Sequence, residues 1–464
     1  MQSRRDQVQA QSYVLGRLTS ALIAAEPEAP ENPNRRTVNG TLIGILIGAL
    51  LVAAFAIYGY LVPGGSDAWR RPGVLVVERE TGTRYVLVDG VLRPVLNFTS
   101  ARLLLGANPQ VVMASVASLK GVPHGQPLGV VGAPDALPPA DGLAGTAWVV
   151  CAVSAKDNLG TVATATTVSF GPGQALTAPL EDKALVAATS QGRYLIWRGT
   201  RFKLTLPWLA GVFGHEGDGA PVEAAWLDVL TAGPDLTPIA VTGRGEAGPA
   251  VDGQPTTVGQ LFTARSADST RRHYLLQRDG LSLLTDTAYA IASADPQTVE
   301  LYGGTRVVPV ELSAAALAQL PRSSRPVLPD GLPEALPSAV APSSAEGSWC
   351  LRKETGVAGV QVGAHRPPDV KHLVAGTAVT RTARTAAAVQ VLPGTGGLVR
   401  PGRAGQTVGA TVYLVTDAGV KFQVADAQVA EALGLQPSLS AVELPELLDL
   451  LPTGPVLNTT TLTG

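Results

Sequence analysis

Between Thr41 and Val62 the chain runs through TLIGILIGALLVAAFAIYGYLV without a charged side chain, and no comparable run occurs elsewhere in its 464 residues. As a helix rising about 1.5 Å per residue, these residues reach about 33 Å, against about 30 Å of bilayer hydrocarbon. A backbone in lipid must satisfy its own hydrogen bonds, so a spanning helix is expected over 39–62. A cleaved leader would have a shorter apolar core nearer the N-terminus, followed by an A-x-A-like site, and no such site follows.

Arg4, Arg5, Arg17, Arg35 and Arg36 precede the span, while Arg70 and Arg71 follow it at a greater distance. That bias favours a cytoplasmic N-terminus in the plasma membrane and an extracytoplasmic remainder. Both cysteines, Cys151 and Cys350, lie beyond the span and suit one disulfide in an oxidising compartment. Two buried free thiols are the alternative. Paired, they close 350 − 151 = 199 residues, worth about 5 kcal/mol in the chain-entropy model. Trp148 and Trp349 stand close by in sequence, and an indole packed on the disulfide is expected.

A net charge of −2 with 16% charged residues gives no electrostatic case for nucleic acid. The 51 glycines and 36 prolines, among runs of Val, Leu and Thr, indicate turn-rich β structure, and 45% hydrophobic residues indicate order. Roughly 400 residues beyond the membrane exceed one core, so several modules are expected.

Self-comparison finds four imperfect repeats. Strands open at Tyr85, Tyr194, Tyr274 and Tyr413, each reversed by a Gly-containing turn and followed by a second strand. A helical stretch such as 100–105 or 426–433 comes next, and closing turns stand at Pro123-His124-Gly125, Gly233-Pro234-Asp235, Pro321-Arg322 and Pro452-Thr453-Gly454. Each unit reads as a small ββα-like module. Uneven spacing excludes a solenoid, and the cysteines lie in the inserts between repeats. The fold expected is thus a single-pass membrane protein whose extracytoplasmic β-rich α+β region carries four small repeat modules around a central disulfide-linked β domain.

The corresponding segments are a cytoplasmic N-terminal helix (1–38), the span (39–62), a linker (63–80), repeat one (81–139) and a first central part (140–190). Repeat two (191–243), a further central part (244–269), repeat three with a Pro-rich connector (270–338), a second central part (339–409) and repeat four (410–464) complete the chain.

Residues 3–25 have amphipathic helical spacing, with Ser3 and Asp6 as a capping pair and Val8, Leu15, Leu18 and Leu22 on one face. With Arg4 and Arg5 they form a candidate partner-binding helix. In the span, Gly40, Gly44 and Gly48 repeat every four residues, a pattern that permits close helix–helix approach.

No G-x-x-x-x-G-K-[ST] or G-x-S-x-G occurs, and the five histidines lack metal-ligand spacing, His365 and His372 being the nearest pair. Gly243-Arg244-Gly245 and Gly394-Thr395-Gly396-Gly397 read as plain loops. No catalytic, cofactor or metal residue is nominated.

The stretch Arg4-Arg5-Asp6-Gln7-Val8-Gln9-Ala10, with Tyr13, Arg17-Leu18 and Ala21-Leu22, resembles the N-terminus of the EccB family. These are single-pass core components of actinobacterial type VII (ESX) secretion systems. The segment from Arg93 to Leu103 resembles the family's first repeat, and Gly129 to Leu137, the Trp148…Cys151 pair and Tyr413 to Phe422 are similar to it as well. The resemblance implies a structural subunit of the export channel, joined to the motor ATPase EccC, EccD, EccE and the mycosin protease, with homo-oligomeric contacts in a ring complex. Members are also labelled ATPases, and this chain departs from that label in lacking a Walker A motif. A cell-wall-binding membrane-anchored repeat protein is the reading from a second class.

Overall fold

The computed structural model describes residues 4–25, 34–61, 67–143, 147–156, 162–265, 270–341, 347–367, 378–403, 406 and 408–460. Two compact units divide them, one of Met1–Val95 with Pro109–Pro127, the other of Leu96–Asn108 with Leu128–Gly464. The first unit begins with helix α1 (Arg4–Ala24) and helix α2 (Asn34–Leu61). Helix α2 starts at Asn34, seven residues before the uncharged run. Its apolar part, Thr37–Tyr60, is 24 residues long, enough to cross a membrane, and every side chain in it is exposed.

Four of the five sheets share one strand order. In each, three antiparallel strands form a meander, and a fourth runs parallel beside the first, giving the order third-second-first-fourth, to which the second sheet adds a fifth strand, Thr231–Ala232, parallel beside its third. First strands are Val74–Glu78, Leu185–Thr189, Leu261–Arg265 and Gly397–Pro401. Their parallel partners are Gln110–Ala114, Ala220–Pro221, Val310–Glu311 and Ala441–Glu443. A short helix follows the third strand each time, Phe98–Leu105 (α3), Leu209–Val212, Asp286–Ala294 and Ala427–Leu433, with a second, Pro296–Leu301, before the fourth strand of the third sheet.

Each unit is therefore larger than two strands and a helix, and begins one strand before its tyrosine. Leu261–Arg265, read in sequence as part of the central domain, is the first strand of the third sheet. These opening strands are interior to their sheets and read as short apolar runs such as VLVVE and LVAAT, with no alternation to mark them. The tyrosine strands were legible from their turns. At Asp89-Gly90 and Arg198-Gly199 both central residues have positive φ (50° and 79°, 47° and 74°), the primed hairpin geometry that matches strand twist.

The closing turns share one geometry in three sheets. A residue of the third strand donates to the proline carbonyl and accepts from the N–H two residues on: Leu92 with Pro123 and Gly125, Leu281 with Pro321 and Ser323, Lys421 with Pro452 and Gly454. In the second sheet Gly233 N–H reaches Arg201 O instead. Glycine is required at Gly233 and Gly454, where a Cβ would lie 2.4 Å and 2.2 Å from the rings of Phe202 and Phe422.

In the second unit, the fifth sheet has six strands, all from the two segments that hold the cysteines. Ala147–Lys156, Val162–Gly171 and Ala178–Pro179 come from one, and Ser348–Glu354, Gln361–His365 and Ala388–Val391 from the other. One face carries Trp148, Val150, Phe170 and Leu351, which share a core with Trp226 and Leu230 from beside the second sheet and Leu447 and Leu451 from beside the fourth. Helix α3, contiguous in sequence with the first sheet, packs through Leu103 on Val429 and Leu433, and Arg102 donates to Leu433 O at 3.0 Å. The Pro-rich tract is laid along the protein, with Val327, Leu328, Leu332 and Ala339 packed on the core of the second and third sheets; Pro342 lies outside the described residues.

Candidate functional site

The residues singled out in sequence fall on three separate elements. On α1, Val8, Leu15, Leu18 and Leu22 lie within about 80° of arc at 100° per residue, and all four are exposed, Leu22 by 84%. Tyr13 on the same helix lies under the Arg17 guanidinium at 5.8 Å. Arg4 and Arg5 open the helix beside Asp6, whose capping partner Ser3 lies outside the described residues. On α2, Gly40, Gly44 and Gly48 form a second narrow stripe, where an added Cβ would meet nothing within 4 Å.

The third element is the disulfide. Cys151 and Cys350 face each other directly across antiparallel strands, with Cα atoms 4.0 Å apart and a formed S–S bond. Both are buried, at 2% and 0% exposure. The expected indole packing is corrected here. Alternate strand residues point to opposite faces, so Trp148 and Trp349, at odd offsets from the cysteines, lie on the other side. Val149, Val153 and Leu176 cover the sulfurs instead.

Sequence reasoning missed the buried charges, whose partners lie far apart in the chain. Glu443, 1% exposed, has Lys353 Nζ at 3.9 Å across the junction of fourth and central sheets. Burial pushes its carboxyl above the usual range, against the opposing pull of Lys353. Lys421 is buried too, its ammonium donating to Leu448 O, and burial lowers its pKa against the raising influence of Asp449. Arg244, read as part of a plain loop, is the half-buried anchor of that loop: it meets buried Asp295 at 3.1 Å and donates to Ile239 O. Asp295 also caps the helix Pro296–Leu301 through Gln297 N–H, and the Asp-Pro pair was the signal available in sequence.

Among the described residues no group of three His, Cys, Asp or Glu side chains is placed to hold a metal; His372 lies outside them. A cleft of about 800 Å³ is lined by Tyr289, Val299, Val307 and Leu336 with Asp286 and Arg306 among its polar groups. These residues supply neither a nucleophile–base pair nor a phosphate cradle. What the arrangement offers is surface: two exposed helical faces and a braced β scaffold.

The chain is similar along nearly its whole length to characterised secretion components. It is 28% identical to the ESX-3 secretion system ATPase EccB3 of Mycolicibacterium smegmatis, covering 98% of this chain and 89% of that protein. It is 27% identical to the ESX-1 secretion system ATPase EccB1 of Mycobacterium tuberculosis, covering 97% and 92%. Its fold matches a chain of an intact ESX-5 inner membrane complex with TM-score 0.62 at 23% identity, over 100% of this chain and 95% of the other. It also matches an EccB3 dimer from the ESX-3 core complex with TM-score 0.63 at 25% identity, over 84% and 100%. The model of the family described as type VII secretion system ESX-1, transport TM domain B, spans residues 1–462, from α1 through the last sheet, and this chain belongs to that EccB family.

Proposed function

We propose that this protein is a structural subunit of a type VII secretion membrane complex, acting by assembly rather than by bond chemistry. The observation that carries the reading is the unbroken family match across α1, the apolar helix and the β-rich region alike. The solved ESX assemblies with the same fold support it. In this reading α1 is cytoplasmic, α2 crosses the membrane once and the sheets lie outside it. The four sheets built on the common strand order are repeats of one module. The exposed face of α1 and the glycine stripe of α2 take neighbouring membrane components, of which the motor EccC, EccD, EccE and a mycosin protease are the expected set. The modules supply contacts between copies.

The test is purification of the tagged chain from native membranes in mild detergent, with mass spectrometry of what remains bound at high salt. An FtsK-like motor and a multispanning partner in a particle far larger than the chain are expected. A lone chain, or one holding only wall fragments, would overturn the reading.

A further inference from the structure

The loop from Phe213 to Gly219 joins helix Leu209–Val212 to strand Ala220–Pro221 through three glycines of positive φ, Gly214 (76°), Gly217 (108°) and Gly219 (91°). Near its start His215 is 5% exposed, and its Nε2 is buried without a hydrogen-bond partner. A neutral imidazole can occupy such a place with one nitrogen unprotonated. An imidazolium, with two N–H donors and a charge, cannot do so cheaply. The surrounding charges make protonation harder still. Arg193, on the strand Gly192–Trp197, is the cation that acts on it, and Asp218, whose carboxylate would offset it, pairs with Arg193 at 3.1 Å. Glu216, the remaining charge of the loop, is exposed. Helix Leu209–Val212 and residues Ser338, Ala339 and Val340 contribute no ionisable side chain.

The same loop holds the connector between the third sheet and the central one. Phe213 O accepts from Ala339 N–H at 2.9 Å. On the other side, Ala184 donates to Ser338 O at 2.9 Å and accepts from Val340 N–H at 2.8 Å. Phe213 is buried in the core of the second and third sheets.

We infer that His215 makes this loop an acid-released clasp, in which protonation expels the imidazole and the loosened Phe213 lets go of Ala339 in the connector. Burial and Arg193 both hold the imidazole pKa below that of a free histidine, which agrees in direction. With the folded value lowered, the closed loop is favoured above the free-histidine range and weakens as pH falls through it. For a free value near 6.5, the opening equilibrium rises by at most about 30-fold between about pH 7.5 and pH 5.

Hydrogen exchange on the full chain in detergent, expressed as protection factors at those two pH values, tests this locally, so other histidines report on their own segments. In wild type, the amides of 213–219 and of Ala339 should lose protection by about 3- to 30-fold at the lower pH. In His215→Phe and His215→Gln the loss should fall below about twofold. Arg193→Gln, which removes the facing cation, should shrink the loss, and it reads out the same device if both His215 variants fail to fold. Unchanged wild-type protection at low pH overturns the inference, as does an undiminished loss in the folded variants.

Discussion

Replacing both Cys151 and Cys350 with alanine should loosen the central sheet while leaving its ladder drawn as before. The bond closes 199 residues, and the chain-entropy model assigns a loop of that size about 5 kcal/mol, of which measured disulfides commonly deliver about 2–4. Both sulfurs are buried under Val149, Val153 and Leu176, so deleting them also leaves unfilled space, which acts in the same direction. The six backbone pairs from Trp349–Ala152 to Glu354–Ala147 remain, so the sheet should still form. A loss of about 3–5 kcal/mol lowers the closed-to-open ratio of this region by roughly 150- to 5,000-fold. Hydrogen exchange of strands Ala147–Lys156 and Ser348–Glu354 in the full chain reads that ratio directly. Because several cores unfold separately in a chain this size, a single melting temperature would not. A fall in protection of less than about fivefold would refute the loop-closure argument. Alkylation of either cysteine in native, unreduced wild type would refute the bond itself.

Three further outcomes are expected. Arg244→Met leaves buried Asp295 without its ion-pair partner, and should cost about 3–5 kcal/mol in denaturant unfolding of the third sheet; a loss under 1 kcal/mol, roughly the worth of a surface pair, would place the pair at the surface energetically. Glu443 has a raised folded pKa, so its contribution is fully present below the ordinary carboxylate range and is lost as pH rises through the raised value. Glu443→Gln should therefore gain on wild type, in hydrogen-exchange protection of strand Ala441–Glu443, as pH rises from acid to neutral, and parallel pH profiles would count against it. Gly454→Ala puts a methyl carbon into the Phe422 ring, and should destabilise the fourth sheet by about 1–3 kcal/mol, whereas the same change at Gly409, with open space around it, should be near neutral.

Much of the local structure was legible because its causes are local. Helices begin where Asn97, Thr285, Ser313 and Asp426 accept from backbone N–H groups three residues on, and hairpins reverse where Asp89-Gly90 and Arg198-Gly199 sit. The opening strand of each sheet escaped notice because interior strands lack alternation. The face of the disulfide was legible by counting residues along its strands, and the tryptophan–cysteine proximity in sequence was misleading for that same reason.

By itself the sequence determined a membrane-length apolar helix, a β-rich remainder, the turns that fold its hairpins and the pair of cysteines available to one another. These follow from side-chain chemistry acting over a few residues. Only the tertiary structure decided that α3 packs against the helix Ala427–Leu433, that each fourth strand returns parallel to its first, and that Lys353 meets Glu443 in a buried junction. Such pairings depend on apolar area and charge brought together from distant parts of the chain, and no periodicity within either segment encodes the partner it will meet.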